Sequence, residues 1–125
     1  MIFDTDVLIF AQKGNIKAAE LINETEERKI SIITYIELLQ GAFNSNHHQI
    51  IRKFLKYYDF KILNINEAIG HRASIYIEAY SLSNSMVLAD SLIAATAIEN
   101  NDTLCTANIK HFKFIPDIRI TQFNP

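Results

Sequence analysis

The chain has few residues with which to staple or hinge itself: 125 residues include one cysteine, two prolines, three glycines and no tryptophan. One cysteine excludes an intrachain disulfide. Cys105 lies in the apolar run TLCT, where a buried, reduced thiol is expected. So little Gly and Pro beside 49% hydrophobic residues excludes a disordered chain. No apolar run reaches membrane-spanning length. The start carries no basic cluster, and two aspartates interrupt its apolar run, so no signal peptide is expected and a soluble, cytoplasmic protein follows. An excess of positive charge is also missing. The net charge of −2 and pI of about 6.0 exclude a globally basic nucleic-acid binder, but not a local basic patch or binding through metal ions.

Chemical signatures are missing too. The three glycines are scattered and form no phosphate-binding loop. No serine sits in a nucleophile elbow. There is no HExxH and no paired cysteine spacing, so zinc has no support. His47 and His48 are adjacent and diverge by about 100° on a helix, while His71 and His111 stand alone. All four histidines read as surface residues, with His111 the one to watch because it follows Asn108 by three positions.

What is present is an alternation of apolar strands and amphipathic helices. IFD reads as a strand, VLIFAQ as a short helix stopped near Gly14, and residues 16–28 as a helix with Ile16, Ala19 and Ile22 on one face. ISII is a second strand, followed by helical spacing from TYIELL with Thr34 as its candidate N-cap. Helices are expected over residues 47–58, 66–82 and 88–101, and strands at FKILNI, TLCT and IRIT. This order predicts one α/β domain over residues 1–125, with a mainly parallel sheet of four to five strands and right-handed crossovers.

In such sheets, functional groups gather beyond the carboxyl ends of the strands. Asp4 ends the first strand, Glu37 lies a helical turn after the second, Asn108 follows the fourth, and Asp90 opens the helix that leads into it. Each has an ordinary reading: helix caps for Asp4, Asp6 and Asp90, a solvated helix position for Glu37, turn chemistry for Asn108. Together they implicate one edge. An oxygen-only cluster suits a hard cation, Mg²⁺ or Mn²⁺, which would also relieve repulsion between neighbouring carboxylates. Such ions support phosphodiester hydrolysis. Two basic groups stand out, Arg52, Lys53 and Lys56 on one helix and Lys110, His111 and Lys113 beside the acids. Solvated faces are the default reading; the second group is placed to contact a phosphate backbone.

Four blocks in order, FDTDVLI, ISIITYIELLQGA, ADSLIAATAIENN and LCTANIKHF, resemble the PIN domain, and specifically the VapC-type toxin ribonucleases of toxin–antitoxin pairs. The resemblance spans essentially the whole chain. It implies a PIN-like three-layer fold and an Mg²⁺- or Mn²⁺-dependent endoribonuclease. By position it implies Asp4, Glu37 and Asp90 as the acidic site residues, with Asp4 and Asp90 the direct metal ligands. The family's fourth acidic slot falls at Asn108, an amide, which removes a charge and puts a second metal in doubt. Thr106 corresponds to the family's site hydroxyl, orienting a water or phosphate, and Asp6 to a cap or an orienting partner of a metal ligand. The resemblance also implies a homodimer, an RNA substrate, and a cognate antitoxin that inserts a C-terminal segment into the acidic cleft. Tyr35, Phe43, Tyr57, Tyr58, Tyr76 and Tyr80 supply more aromatic surface than one small core needs.

Two other readings compete. IFDTDVLI also looks like the DxD strand end of haloacid-dehalogenase-type phosphatases, with Asp4 as nucleophile and Asp6 as acid/base, although the later paired acids of that family are missing. A PIN fold that has lost activity and serves as an RNA- or protein-binding module is the other.

Overall fold

The computed structural model describes residues 1–125. In chain order the elements are β1 (Ile2–Phe3), α1 (Thr5–Gln12), α2 (Ile16–Glu24), β2 (Lys29–Ser31), α3 (Ile32–Gln40), α4 (Ser45–Tyr57), β3 (Lys61–Leu63), α5 (Glu67–Asn84), α6 (Leu88–Glu99), β4 (Leu104–Thr106) and β5 (Ile120–Gln122). A single 3-10 turn at Ile109–His111 lies between β4 and β5. All strand pairs are parallel and the sheet order is β3-β2-β1-β4-β5. The first strand is therefore central. The chain winds outward from it to β3, then returns across to β4, so the winding reverses between β1 and β4. In an open parallel sheet that reversal opens a crevice at the carboxyl ends of the two strands.

Strand periodicity distributes the core over two faces. Ile2 and Leu104 point into one apolar cluster with Ile69, Ala73, Ile93 and Phe112, under α5 and α6. Their neighbours Phe3 and Cys105 point into the other, with Val7, Leu8, Ile22 and Ile51 from α1, α2 and α4. Alternation at period two thus fills both faces of the sheet and gives three layers, helices over sheet over helices. Small residues make this close: Ala94, Ala95 and Ala97 of α6 are fully buried. No helix is long and apolar enough to cross a membrane.

Two departures from the sequence expectation at helix ends have a capping reason. The strand expected as ISII stops at Ser31, whose hydroxyl accepts from Ile33 N–H at 3.0 Å and starts α3 there. Thr34 is thus a buried residue inside the helix rather than its cap. The helix expected over residues 16–28 ends at Glu24. Arg28, expected on it, turns back to donate to the carbonyls of Ile22, Asn23 and Tyr58, at 2.5, 2.8 and 2.7 Å. One guanidinium thereby adds donors to carbonyls at the ends of two helices.

Candidate active site

The crevice between β1 and β4 is built by residues that end those strands. Asp4 follows Phe3 directly and is the N-cap of α1, its Oδ1 accepting from Thr5 N–H at 2.8 Å. Its other oxygen, Oδ2, accepts from Thr106 Oγ1 at 2.8 Å, so the last residue of β4 fixes the residue after β1. Asp6 lies in the first turn of α1 and leans onto the same loop. Its Oδ2 accepts from Ala107 N–H at 3.0 Å and from Asn108 Nδ2 at 3.1 Å, with Thr106 Oγ1 at 3.4 Å. Asn108 N–H in turn donates to Thr106 Oγ1 at 3.0 Å.

These bonds correct one assignment. The cap of α1 is Asp4, not Asp6, because the chain leaves extended conformation at Asp4. Asp6 instead ties α1 to the β4 loop. Thr106 gives its single proton to Asp4 and its oxygen accepts from Asn108.

Glu37 and Asp90 arrive from the helices. Glu37 Oε1 lies 2.6 Å from Thr5 Oγ1, which is itself 3.0 Å from Thr34 Oγ1. A carboxylate only accepts, so Thr5 donates to Glu37 and Thr34 donates to Thr5. Thr5 is not singled out by the sequence, and Thr34 reads there only as a helix cap. In an apolar run a threonine reads as a strand former; the one signal was a hydroxyl set between two aspartates in DTD. Asp90 lies in the first turn of α6 but does not cap it. The N-cap is Val87, with no side-chain bond. Asp90 Oδ2 is instead 3.4 Å from His111 Nδ1. His111, expected against RNA phosphate, is thus engaged by the acid cluster.

Burial makes this cluster costly. The Asp4 carboxyl is pushed up to about 7, first by desolvation and then by the Asp6 charge, against the hydrogen bonds from Thr106 and Thr5. Desolvation also raises Asp6, opposed by the Ala107 N–H. Asp90 is raised by burial, opposed by His111 and reinforced by Glu37 and Asp6. The acids even reach the neighbouring thiol: burial, then Asp6 and Asp4, push Cys105 up to about 12, which makes it an inert core residue. Asp6 Oδ1 is buried and accepts no hydrogen bond. An orphaned, desolvated oxygen among carboxylates that raise one another is what a hard cation would satisfy, and the donor set fits one. No three acidic, His or Cys side chains form a ready-made cage. Mg²⁺ does not need one, because it keeps several waters and takes one or two carboxylates plus substrate oxygens.

Lys110 and Lys113 are exposed after β4, and Arg52, Lys53 and Lys56 are exposed on α4. The aromatic surplus is smaller than expected. Tyr76 is buried, Tyr80 packs on Phe114 at 4.9 Å, and Tyr58 lies under Arg28. Only Phe43 and Tyr57 stand out, at 91% and 80% exposure.

Comparison with known proteins agrees with this arrangement. Residues 1–115 match the PIN domain family. The chain is 31% identical to Ribonuclease VapC1 of Haemophilus influenzae over 123 residues, covering 93% of this chain and 92% of that protein. It is 28% identical to Ribonuclease VapC10 of Mycobacterium tuberculosis, covering 95% and 90%. Among solved structures, a toxin–antitoxin complex from Klebsiella pneumoniae contains a chain that superposes with a TM-score of 0.81 at 30% identity, covering 99% of this chain and 98% of that one. A parallel sheet whose first strand is central, acids gathered in the β1–β4 crevice, and this similarity along nearly the whole length have one common explanation: the chain belongs to the PIN-domain family, among its VapC-type members.

Proposed function

We propose that the protein is a metal-dependent endoribonuclease, the toxin of a toxin–antitoxin pair, acting as one domain of residues 1–125. The single observation that carries this reading is the gathering of Asp4, Asp6 and Asp90 in one half-buried crevice, with Asp6 Oδ1 left without a partner. PIN membership removes the phosphatase alternative, whose nucleophile and acid would have been Asp4 and Asp6.

In this reading Asp4 and Asp90 hold Mg²⁺ or Mn²⁺. When bound, the ion supplies Lewis acidity for an attacking water and positive charge for the phosphodiester oxygens. The chain's own residues do the rest. Thr106 keeps Asp4 Oδ2 fixed at 2.8 Å, and Asn108 and Ala107 keep Asp6 aimed across the crevice. Glu37, steadied by the Thr5 hydroxyl, stands ready to accept a proton from water. His111 Nδ1 lies 3.4 Å from Asp90 Oδ2, and Lys110 and Lys113, exposed after β4, would contact the RNA backbone. The names of the relatives and the toxin–antitoxin complex among the structural neighbours support RNA as substrate and an antitoxin as partner. Leu82, Val87 and Leu88, exposed where α5 passes into α6, support a homodimer, and the lack of a membrane-crossing helix suits a cytoplasmic protein.

The test is cleavage of a mixed RNA pool with Mg²⁺ or Mn²⁺ and with excess EDTA, for the natural chain and Asp90→Asn. Cleavage by the natural chain with metal alone is expected. Full activity in EDTA, or full activity of Asp90→Asn, overturns the mechanism; a folded protein that cuts no RNA under any condition favours the binding-module reading.

A further inference from the structure

The acid crevice does not end at Glu37. The same side chain is one wall of a groove of about 390 Å³ that runs toward the α3–α4 connection, with the buried Leu38 and Ile51 and with Gln12, Lys13, Phe43 and His47 along it. That volume lies within the range of small-ligand sites.

Phe43 is 91% exposed, yet it is held rather than loose. Its ring stacks on the His47 imidazole, with centroids 5.4 Å apart and planes inclined by 25°. Its own N–H donates to His47 Nδ1 at 3.2 Å, and Asn44 Oδ1 caps α4 by accepting from His47 N–H at 2.9 Å. Because Nδ1 accepts, the neutral ring carries its proton on Nε2, which is a donor. Lys13 adds an ammonium. One wall therefore offers an aromatic face and two donors, His47 Nε2 and the Lys13 ammonium, and Glu37 is the only acid along the groove. An apolar peptide side chain would fill Leu38 and Ile51 but bring no acceptor to Lys13 and His47. A nucleotide matches all of it: a π-face for Phe43 and a phosphate for Lys13 and His47.

We propose that this groove is a nucleobase subsite for single-stranded RNA, in which a base flanking the scissile phosphate stacks on Phe43 while Lys13 and His47 contact its phosphate. The proposal rests on the ribonuclease reading and deepens it. It makes Phe43 a specificity-determining residue outside the acid cluster.

The chain has no tryptophan, so Phe43→Trp installs a sole reporter in the groove. In an Asp90→Asn background, titration with a single-stranded RNA of about ten nucleotides quenches its emission, and the same oligomer lacking bases does not. In an otherwise natural chain, Phe43→Leu raises KM for RNA cleavage about tenfold with kcat little changed, and Phe43→Trp keeps the natural KM. Leucine preserves apolar contact and loses only stacking. Intact cleavage with no quenching and an unchanged KM in Phe43→Leu overturns the proposal while leaving the ribonuclease reading standing. An emission change caused by a protein partner and not by RNA assigns the groove to that partner and overturns it equally. A natural chain that neither cuts nor binds RNA removes both readings.

Discussion

Thr106 Oγ1 donates to Asp4 Oδ2 at 2.8 Å, joining two residues 102 positions apart across the β1–β4 crevice. Thr106 is fully buried, so this bond is shielded from water and aims a carboxylate that would otherwise rotate. Thr106→Val keeps the volume and removes the donor. The expected result is a loss of roughly tenfold to a hundredfold in kcat/KM for RNA, the range set by one charge-assisted hydrogen bond. Thr106→Ser should recover most of it. Equal activity in both variants removes the aiming role.

Asp4→Asn should trade activity for stability. The amide oxygen still accepts from one partner, Thr5 N–H, while its Nδ2 faces Thr106 Oγ1, which turns its proton away and accepts instead. The change removes a buried charge whose pKa is pushed up to about 7. At pH 8 the variant should unfold several degrees higher than the natural protein in EDTA, a gain on the order of 1–2 kcal/mol, while RNA cleavage disappears. A lower melting temperature would show that Asp4 is stabilised in the fold by something other than a bound cation.

The same carboxylates set a pH dependence. A group raised above its unfolded value stabilises fully below that value, and the contribution is lost as pH rises through the folded one. For Asp4 the window runs from about 3.8 to about 7, and Asp6 and Asp90 shift in the same direction. Asp102, paired with Lys29 at 2.8 Å, is lowered instead. Its contribution is present above the usual aspartate range and is lost as pH falls below it, outside this window. In EDTA, melting temperature should therefore decline between pH 4 and pH 7. Added Mg²⁺ or Mn²⁺ should raise it more at pH 8 than at pH 5, because a cation competes with protons for the same oxygens. Equal gains at both values, read by thermal scanning, would remove the cation from the acid cluster.

Asn108→Asp probes the departure at the fourth acidic slot. Asn108 Nδ2 donates to Asp6 Oδ2 at 3.1 Å; an aspartate there sets two acceptors against each other. The variant should be less stable in EDTA by about 1–3 kcal/mol, recover most of that with Mn²⁺, and gain little in cleavage rate. A large rate gain would mean that the natural chain lacks a second ion its chemistry needs.

Residue type carried the readable part of the site. Asp4 and Asp90 stand where apolar periodicity leaves a polar residue at a strand end or helix start, Glu37 lies within the helix that follows β2, and the parallel sheet sets these elements at one edge. The less visible residues were those whose side chains serve two structures at once. Ser31 hides inside the apolar run ISII, so the second strand seemed to continue to Ile33 and the cap seemed to be Thr34. Thr5 looks like a strand residue and instead steadies Glu37 from 32 positions away. The bond to Thr106 is non-local, so no window along the sequence contains it. Phe43 and Tyr80 are equally aromatic in sequence; only packing shows that one meets Phe114 and the other meets solvent.

A central first strand has a consequence for how the protein is made. β1 leaves the ribosome first but pairs with β4, and Asp4 stays unaimed until Thr106 has also emerged. A nascent chain therefore carries Asp4 without its β4 partner until residue 106 has emerged. Any product of a message broken before the codon for Thr106 lacks both the crevice and the residue that sets it. The topology leaves the crevice without its second wall until Thr106 has emerged.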